Sequence, residues 1–178
     1  MSRPVIGLLT DFGTRDWYVG ALKAVILSRC PRAQLIDITH EIPPQDVLAG
    51  ALTLAAVAPW FPPRSVILAV VDPGVGTDRA ILAARMDGRY LVGPDNGLLA
   101  LSLAQARRVS VTRVANRRSW LSVVSQTFQA RDIMAPVAAA LASGQSLSRL
   151  GPAMRQVTPL ALPAVQATGR ALRGSVVH

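Results

Sequence analysis

The chain has 178 residues, of which 51% are hydrophobic and 16% are charged, a composition that suits one domain and excludes intrinsic disorder. A chain of this length buries roughly 70% of its unfolded surface, so its core needs no disulfide or metal. The formal net charge of +9 would suit nucleic acid, but the arginines are scattered and aromatic residues are too few to stack on bases, so we expect no nucleic-acid partner.

The first half of the chain alternates strand and helix patterns. Apolar segments predict strands over Val5–Thr10, Gln34–Thr39 and residues 65–71. Apolar residues at helical spacing predict a helix over residues 17–29 and another over residues 46–58, which Asp46 would cap. Strands that alternate with helices are typical of βαβ units. We therefore predict an α/β fold with a doubly wound, mostly parallel sheet and helices on both faces.

The second half is more mixed. Residues 81–85 and 90–92 predict a hairpin that turns at Asp87-Gly88. Residues 109–114 predict a further strand, and residues 131–142 predict a helix that contains a proline.

Two predicted strands end in a carboxylate that is followed by a glycine-containing turn. The first strand ends at Asp11, and the third ends at Asp72, with Arg79 seven residues later. In open α/β sheets, ligands bind just beyond the carboxyl ends of the strands. Asp11 could accept both hydroxyls of a ribose, or it could form a helix cap or a turn. Asp72 and Arg79 could hold a water or an anion, or they could be a structural ion pair.

Other candidate sites are weaker. His40 follows the second strand, and a lone histidine without visible partners is more often structural than catalytic. The Gly74-Val-Gly76 turn lacks the Lys-Ser/Thr of a phosphate-binding loop. The chain has no CxxC or HExxH pattern, so we predict no metal site.

Cysteine usage and hydropathy indicate a cytoplasmic location. Cys30 is the only cysteine, so no intrachain disulfide can form. Asp11 interrupts the first apolar run and no cleavage pattern follows, so we predict no signal peptide. The longest uncharged stretch, residues 47–63, is cut by prolines and predicts a buried helix and a turn, not a membrane span.

Five segments together resemble the S-adenosyl-L-methionine (SAM) hydroxide adenosyltransferases, or SAM hydrolases. In chain order they are LLTDFGTRDWYVGALKAVI, IDITHEIPPQDVLAGA, VVDPGVGTDR, GPDNGLL and TFQARDIMAPVAAAL. This family is related to the enzymes that make 5′-fluoroadenosine and 5′-chloroadenosine from SAM. The resemblance implies that water, activated as hydroxide, attacks C5′ of SAM and releases methionine and adenosine. It implies no cofactor and no metal, because SAM is the substrate.

The resemblance also implies roles for individual residues. Asp11 would bind the ribose diol, Asp72 would lie near the reacting water, and Arg79 would position or stabilise hydroxide. The halogenating relatives have tyrosine at the position of Asp72, so this chain is expected to use water. The pocket around C5′ and the ribose would be lined by Val75, Thr77, Thr127 and Phe128.

The chain departs from the family at Gln129, where the hydrolases usually have a histidine that completes an Asp-Arg-His set. An amide cannot titrate near neutral pH, so Gln129 could orient a water but could not take its proton. Loss of general base help costs on the order of 10²–10⁴-fold in rate. Three alternatives remain open: a SAM hydrolase with reduced activity, a catalytically weakened SAM- or adenosine-binding protein, and a fragment without activity.

We predict three sections of chain. Residues 1–150 would form the α/β domain, residues 151–173 a linker, and residues 174–178 the start of a β-rich C-terminal domain that is absent from this chain. In the family, that domain holds the adenine and the methionine at a subunit interface of a trimer. We therefore expect a homotrimer only with that domain, and poor SAM binding by these 178 residues alone.

Overall fold

The structure is a computed structural model that describes residues 3–176. The strands of its main sheet are β1 (Val5–Thr10), β2 (Gln34–Thr39), β3 (Val66–Val70), β4 (Ile81–Met86), β5 (Arg89–Pro94), β6 (Val109–Arg113) and β7 (Ala153–Met154). The α-helices are α1 (Tyr18–Arg29), α2 (Val47–Val57), α3 (Ala100–Gln105) and α4 (Ala135–Ala142).

The seven strands of the main sheet follow the order β2-β1-β3-β5-β4-β6-β7. The pairs among β2, β1, β3 and β5 are parallel, whereas β4 is antiparallel to both of its neighbours and β7 is antiparallel to β6. Only Asp87 and Gly88 separate β4 from β5, and both residues have a positive φ. A two-residue loop allows a hairpin but no crossover, so β4 runs antiparallel to β5. The predicted α/β sheet is confirmed.

Helices cover both faces of this sheet, as predicted. Helices α1 and α4 pack on one face and α2 and α3 on the other, and each face has its own buried apolar cluster. Strand β3 contributes to both clusters, since Leu68 and Val70 point to the α1 side while Ile67 and Ala69 point to the α2 side. A strand that is buried on both faces needs an uninterrupted apolar run, and residues 66–70 are all buried.

The first helices and strands lie close to where the sequence predicts them. Strands β1 and β2 have the predicted limits, and the side chain of Asp46 caps α2 by accepting a hydrogen bond from the Ala49 backbone N–H at 2.9 Å. Helix α2 ends at Val57 and continues as one 3₁₀ turn, Ala58–Trp60, which contains a proline.

The last predicted helix begins differently. Residues Ala130–Met134 form a π-helical turn, and α4 follows it with Pro136 near its start. Proline has no backbone N–H and cannot bond the carbonyl four residues before it. That carbonyl belongs to Asp132, and it accepts a hydrogen bond from the Leu121 backbone N–H at 2.8 Å instead. The proline therefore permits a tertiary contact within the turn that leads into the helix.

Several short elements differ from the sequence-based expectation. Helix α3 was not predicted. Within residues 151–173, where the sequence predicts a linker, β7 extends the main sheet and β8 (Gln166–Thr168) pairs with β9 (Ala171–Arg173) in a hairpin of its own. Residues 174–176, part of the predicted first strand of a further domain, form no strand, and residues 177–178 lie outside the described residues. Between residues 3 and 176, no helix is long and apolar enough to span a membrane.

Candidate active site

A cleft of about 350 Å³ opens at the carboxyl edge of the sheet, where β1 and β3 end. Asp11 and Asp72 both line it. The two carboxylates come together because β1 and β3 are adjacent and parallel, so that the residues after each strand emerge at the same edge. The rest of the lining consists of Phe12, Tyr18, Gln45, Val70, Pro73, Val75, Thr127, Phe128 and Ala130.

Asp72, Arg79 and Gln129 form one hydrogen-bonded set. The Nε of Arg79 donates to Oδ1 and Oδ2 of Asp72 at 2.9 and 3.0 Å, and its Nη2 donates to Oδ2 as well. The same Nη2 donates to Oε1 of Gln129 at 2.6 Å. The side chains of Arg79 and Asp72 are only 9% and 5% exposed, so solvent screens their interaction weakly.

The hydrogen-bond capacity of this set limits what each member can do. An ionised carboxylate has about four acceptor sites, and Arg79 directs two N–H groups at Asp72, with its single Nε–H shared between the two oxygens. Asp72 can thus accept at least one further hydrogen bond, such as one from a water in the cleft. Gln129 already uses its oxygen to accept from Arg79, so its remaining polar group is the NH₂ donor. Gln129 is linked to Asp72 only through Arg79, which bonds to both, and Gln129 does not line the cleft.

Asp11 is fixed by the backbone of the loop before α2. Its Oδ2 accepts a hydrogen bond from the Gln45 backbone N–H at 2.9 Å. Gln45 has a φ of 66°, a left-handed conformation that costs an L residue about 1 kcal/mol or more. Among residues 3–176, no donor makes a hydrogen bond to Oδ1 of Asp11. Because Asp11 lines the cleft, this oxygen can accept a hydrogen bond from a ligand there. Asp11 does not cap α1, because the residue before that helix is Trp17.

The turn after β3 separates two residues that the resemblance places together. Val75 lines the cleft, as expected. Thr77 does not: its hydroxyl donates to the Gly74 carbonyl at 2.7 Å and accepts from the Arg79 backbone N–H at 3.4 Å. Gly76 has a φ of +84°, and a Cβ there would lie 3.0 Å from a backbone oxygen, so this turn requires glycine. Thr77 therefore shapes the turn that presents Arg79 to Asp72.

An aromatic cluster forms one wall of the cleft, and it was not predicted from the sequence. The ring of Phe128 lies edge-on to the rings of Phe12, Trp17 and Tyr18, with centroid distances of 6.0, 5.7 and 5.1 Å. Three of these rings come from the DFGTRDWY stretch, where their short spacing was the available signal. Thr127, next to Phe128, also lines the cleft.

A second ion pair holds the segment that carries these residues. Asp132 is fully buried and accepts hydrogen bonds from Arg131 at 2.6 and 3.0 Å and from the Ser125 backbone N–H at 2.8 Å. The hydrogen bonds to Asp132 raise the pKa of Arg131, although partial burial opposes this. The guanidinium of Arg131 also lies 4.9 Å from the Phe128 ring centroid. Asp132 thereby fixes both ends of the loop before α4.

His40 has structural partners. It is buried, its Nδ1 lies 2.8 Å from the Thr10 hydroxyl, and its Nε2 lies 3.0 Å from Oδ1 of Asp37. Burial opposes ionisation of Asp37, but the hydrogen bonds with Lys23 and His40 outweigh it and lower the pKa of Asp37. These contacts support the structural interpretation of His40. Over residues 3–176, no group of three or more His, Cys, Asp and Glu side chains could hold a metal ion.

The fold and the cleft define an α/β domain whose ligand site lies at the carboxyl ends of two adjacent parallel strands. A family model for the SAM hydroxide adenosyltransferase N-terminal domain matches residues 6–151. The chain belongs to this family, and the resemblance noted in the sequence is confirmed.

Individual relatives agree with this assignment. A protein of Salinispora tropica named (R)-S-adenosyl-L-methionine hydrolase is 45% identical over 161 residues, which are 90% of this chain and 61% of the relative. A fluorinase from an Actinoplanes species is more distant, 27% identical over 86% of this chain and 59% of its own length. The crystal structure of an uncharacterized conserved protein from Thermotoga maritima has a TM-score of 0.87 and 38% identity, over 91% of this chain and 63% of that one. This chain thus spans about three fifths of the length of these relatives.

Proposed function

We propose that this chain takes part in the hydrolysis of SAM to adenosine and L-methionine. The observation that carries the proposal is the set formed by Asp72, Arg79 and Gln129 at the cleft, in which a carboxylate held by one guanidinium keeps at least one acceptor site for a water. Family membership supplies the substrate, and the hydrolase name of the Salinispora tropica relative supports the reaction.

The reaction needs a positioned water more than it needs an acid. An oxygen–carbon bond forms at C5′ while the C5′–sulfur bond breaks, and its electron pair goes to the sulfonium sulfur. Methionine then leaves as a neutral thioether, so no leaving-group proton and no cofactor are needed. Asp72 accepts a hydrogen bond from the attacking water and takes its proton, and Arg79 holds the carboxylate in place.

The remaining cleft residues bind the nucleoside. Asp11 presents its second oxygen to the ribose diol, while the Gln45 N–H holds the first. Val75, Thr127 and Phe128 line the space around C5′ and the ribose, and Thr77 acts through the turn that it stabilises.

Gln129 makes this member slower than one with a histidine at that position. Its amide keeps Arg79 on Asp72 but cannot accept a proton, so Asp72 is the base without a titrating helper. The same residue supports the second candidate function, a catalytically weakened protein that binds SAM or adenosine. Assembly as a homotrimer with the β-rich domain of the family, a cytoplasmic location and the absence of nucleic-acid and membrane partners remain predictions.

The test uses a fusion of this chain to the part of the Salinispora tropica relative that lies outside the match, because the family is expected to hold adenine and methionine there. The fusion is incubated with SAM in water labelled with the heavy oxygen isotope. The products are separated by chromatography, and their masses are measured by mass spectrometry. We expect equal amounts of adenosine and methionine, with the label in the adenosine only. Label in methionine would contradict attack at C5′, and SAM binding without products would support the second candidate.

A further inference from the structure

A second cavity, of about 450 Å³, lies between the end of α1 and one side of α4, which lines it from Pro136 to the residues just after the helix. Tyr18 begins α1 and lines the active-site cleft, whereas Arg29 ends α1 and lines this second cavity. The eleven helical steps between these residues correspond to roughly 16 Å along the helix axis. The two cavities share no lining residue. We call the second one the arginine cavity.

Three guanidinium-bearing residues from separate parts of the chain line the arginine cavity. They are Arg29 at the end of α1, Arg118 in the 3₁₀ turn Arg117–Ser119, and Arg149 in the 3₁₀ turn Leu147–Arg149. No carboxylate lines it, and the last acidic residue in the whole sequence is Asp132. The cavity thus gathers positive charge without an acidic side chain to neutralise it.

Side-chain hydrogen bonds hold the two arginine-bearing turns against each other. The Asn116 side chain accepts from the Arg118 backbone N–H at 3.1 Å and donates to the Arg149 carbonyl at 2.8 Å. Gln145 donates to the hydroxyl of Ser119 at 3.4 Å, and Ser119 can still donate its own proton into the cavity that it lines. These contacts fix the backbone positions of Arg118 and Arg149 and do not involve their guanidinium groups.

The guanidinium groups themselves are almost unpaired. Arg29 donates one hydrogen bond, to the Trp120 carbonyl at 3.2 Å. In the part of the chain that the structure describes, the guanidinium groups of Arg118 and Arg149 make no hydrogen bond and no ion pair. The end of a long helix favours a cation and accounts for Arg29. It does not account for Arg118 and Arg149, because a single 3₁₀ turn has no comparable dipole.

We propose that the arginine cavity binds the phosphoryl group of a small phosphorylated molecule. Like charges around a concave surface focus a positive potential, and an anion relieves their repulsion. Planar guanidinium groups bind phosphate oxygens through paired hydrogen bonds. The volume of 450 Å³ lies within the range of small-molecule pockets and exceeds what inorganic phosphate alone needs. This site is independent of the SAM reaction and is tested without it.

The test is calorimetric titration of the chain with inorganic phosphate, pyrophosphate and glycerol phosphate, each at the same ionic strength in sodium chloride. We expect saturable binding with about one site per chain, and tighter binding of an ester or of pyrophosphate if the rest of the cavity contributes. The double variant Arg118→Gln/Arg149→Gln should bind about 100-fold more weakly, because the loss of each charged hydrogen bond costs about tenfold in affinity. The matched control Arg170→Gln/Arg173→Gln removes two charges from the β8–β9 hairpin and should bind like the parent chain.

Two further results keep the test decisive. The charge-preserving variant Arg118→Lys/Arg149→Lys loses the paired geometry, so it should bind with intermediate affinity even where the glutamine variant folds poorly. Circular dichroism on each variant checks its fold. Absence of saturable binding would overturn the proposal. Equal weakening by the hairpin control would also overturn it, because binding would then depend on net charge alone.

Discussion

The two sites at opposite ends of helix α1 differ in whether their arginines are paired with a carboxylate. At the cleft, Arg79 pairs with Asp72, and both side chains are nearly buried. Three arginines and no carboxylate line the arginine cavity. An arginine that is paired within the chain can position a neutral reactant such as water, whereas unpaired arginines attract an anion. On these two proposals, opposite ends of α1 would border sites with different ligand chemistry.

The largest effect on the reaction rate is expected when the Asp72–Arg79 ion pair is broken by replacing Asp72. Asp72→Asn removes the proposed base and leaves Arg79 without a counter-charge. We expect the rate of adenosine formation by the fusion to fall by about 10²–10⁴-fold, the range for general acid–base catalysis. Product chromatography measures this rate. Asp78→Asn, at an exposed position in the same turn, is the control, and an equal loss in the two variants would contradict a specific role for Asp72.

The second ion pair at the cleft should matter most for stability. Asp132 is fully buried and accepts hydrogen bonds from Arg131 and from the Ser125 backbone N–H. Asp132→Ala leaves both of these donors without their acceptor. We expect the free energy of unfolding to fall by about 2 kcal/mol, as is typical for the loss of hydrogen bonds to a charged group, because the partly exposed Arg131 can regain water. Urea denaturation measures the loss. Asp132→Asn keeps an acceptor for the Ser125 N–H and should lose less, so equal losses would argue against this account.

A smaller effect is expected at Asp11. In Asp11→Asn the side chain can still accept from the Gln45 N–H, but one of its two terminal groups can no longer accept from a ribose hydroxyl. We expect KM for SAM to rise about tenfold with kcat little changed, as for the loss of one hydrogen bond to a charged group. Steady-state kinetics of the fusion separate the two constants. A fall in kcat at constant KM would place Asp11 at the reacting atoms instead.

The smallest effect is expected at Thr77, where the structure and the family-based expectation differ. Thr77→Val removes the hydrogen bond to the Gly74 carbonyl and the one from the Arg79 backbone. We expect a loss of about 1 kcal/mol in the free energy of unfolding and a change of only a few-fold in rate. Thermal unfolding and product formation measure the two effects. A large rise in KM with unchanged stability would return Thr77 to the substrate pocket.

Much of this arrangement could be predicted from the sequence because it depends on local patterns. The apolar runs of β1 and β3 end directly at Asp11 and Asp72, and the parallel order of these strands brings both carboxylates to one edge. The cap at Asp46 was equally predictable, since it depends on contacts within one helical turn.

The remaining features depend on contacts between distant segments. Gln129 lies 50 residues from Arg79 along the chain, so no local pattern joins them, and only the family resemblance indicates that this position completes a set with Asp72 and Arg79. The arginine cavity draws on three separate segments, so no spacing in the sequence indicates it. The strands of the β8–β9 hairpin have three residues each, too few for a period to be detected.

The most direct test of the central claim compares the fusion with its Gln129→His variant by measuring adenosine formation from SAM between about pH 6 and pH 8. If Asp72 is the base and the amide only holds Arg79, the parent should be slow and show no histidine step, while the variant should be at least about tenfold faster and gain a pH dependence near the imidazole pKa of about 6.5. Equal rates and the same pH profile in both proteins, or no adenosine from either, would contradict the account.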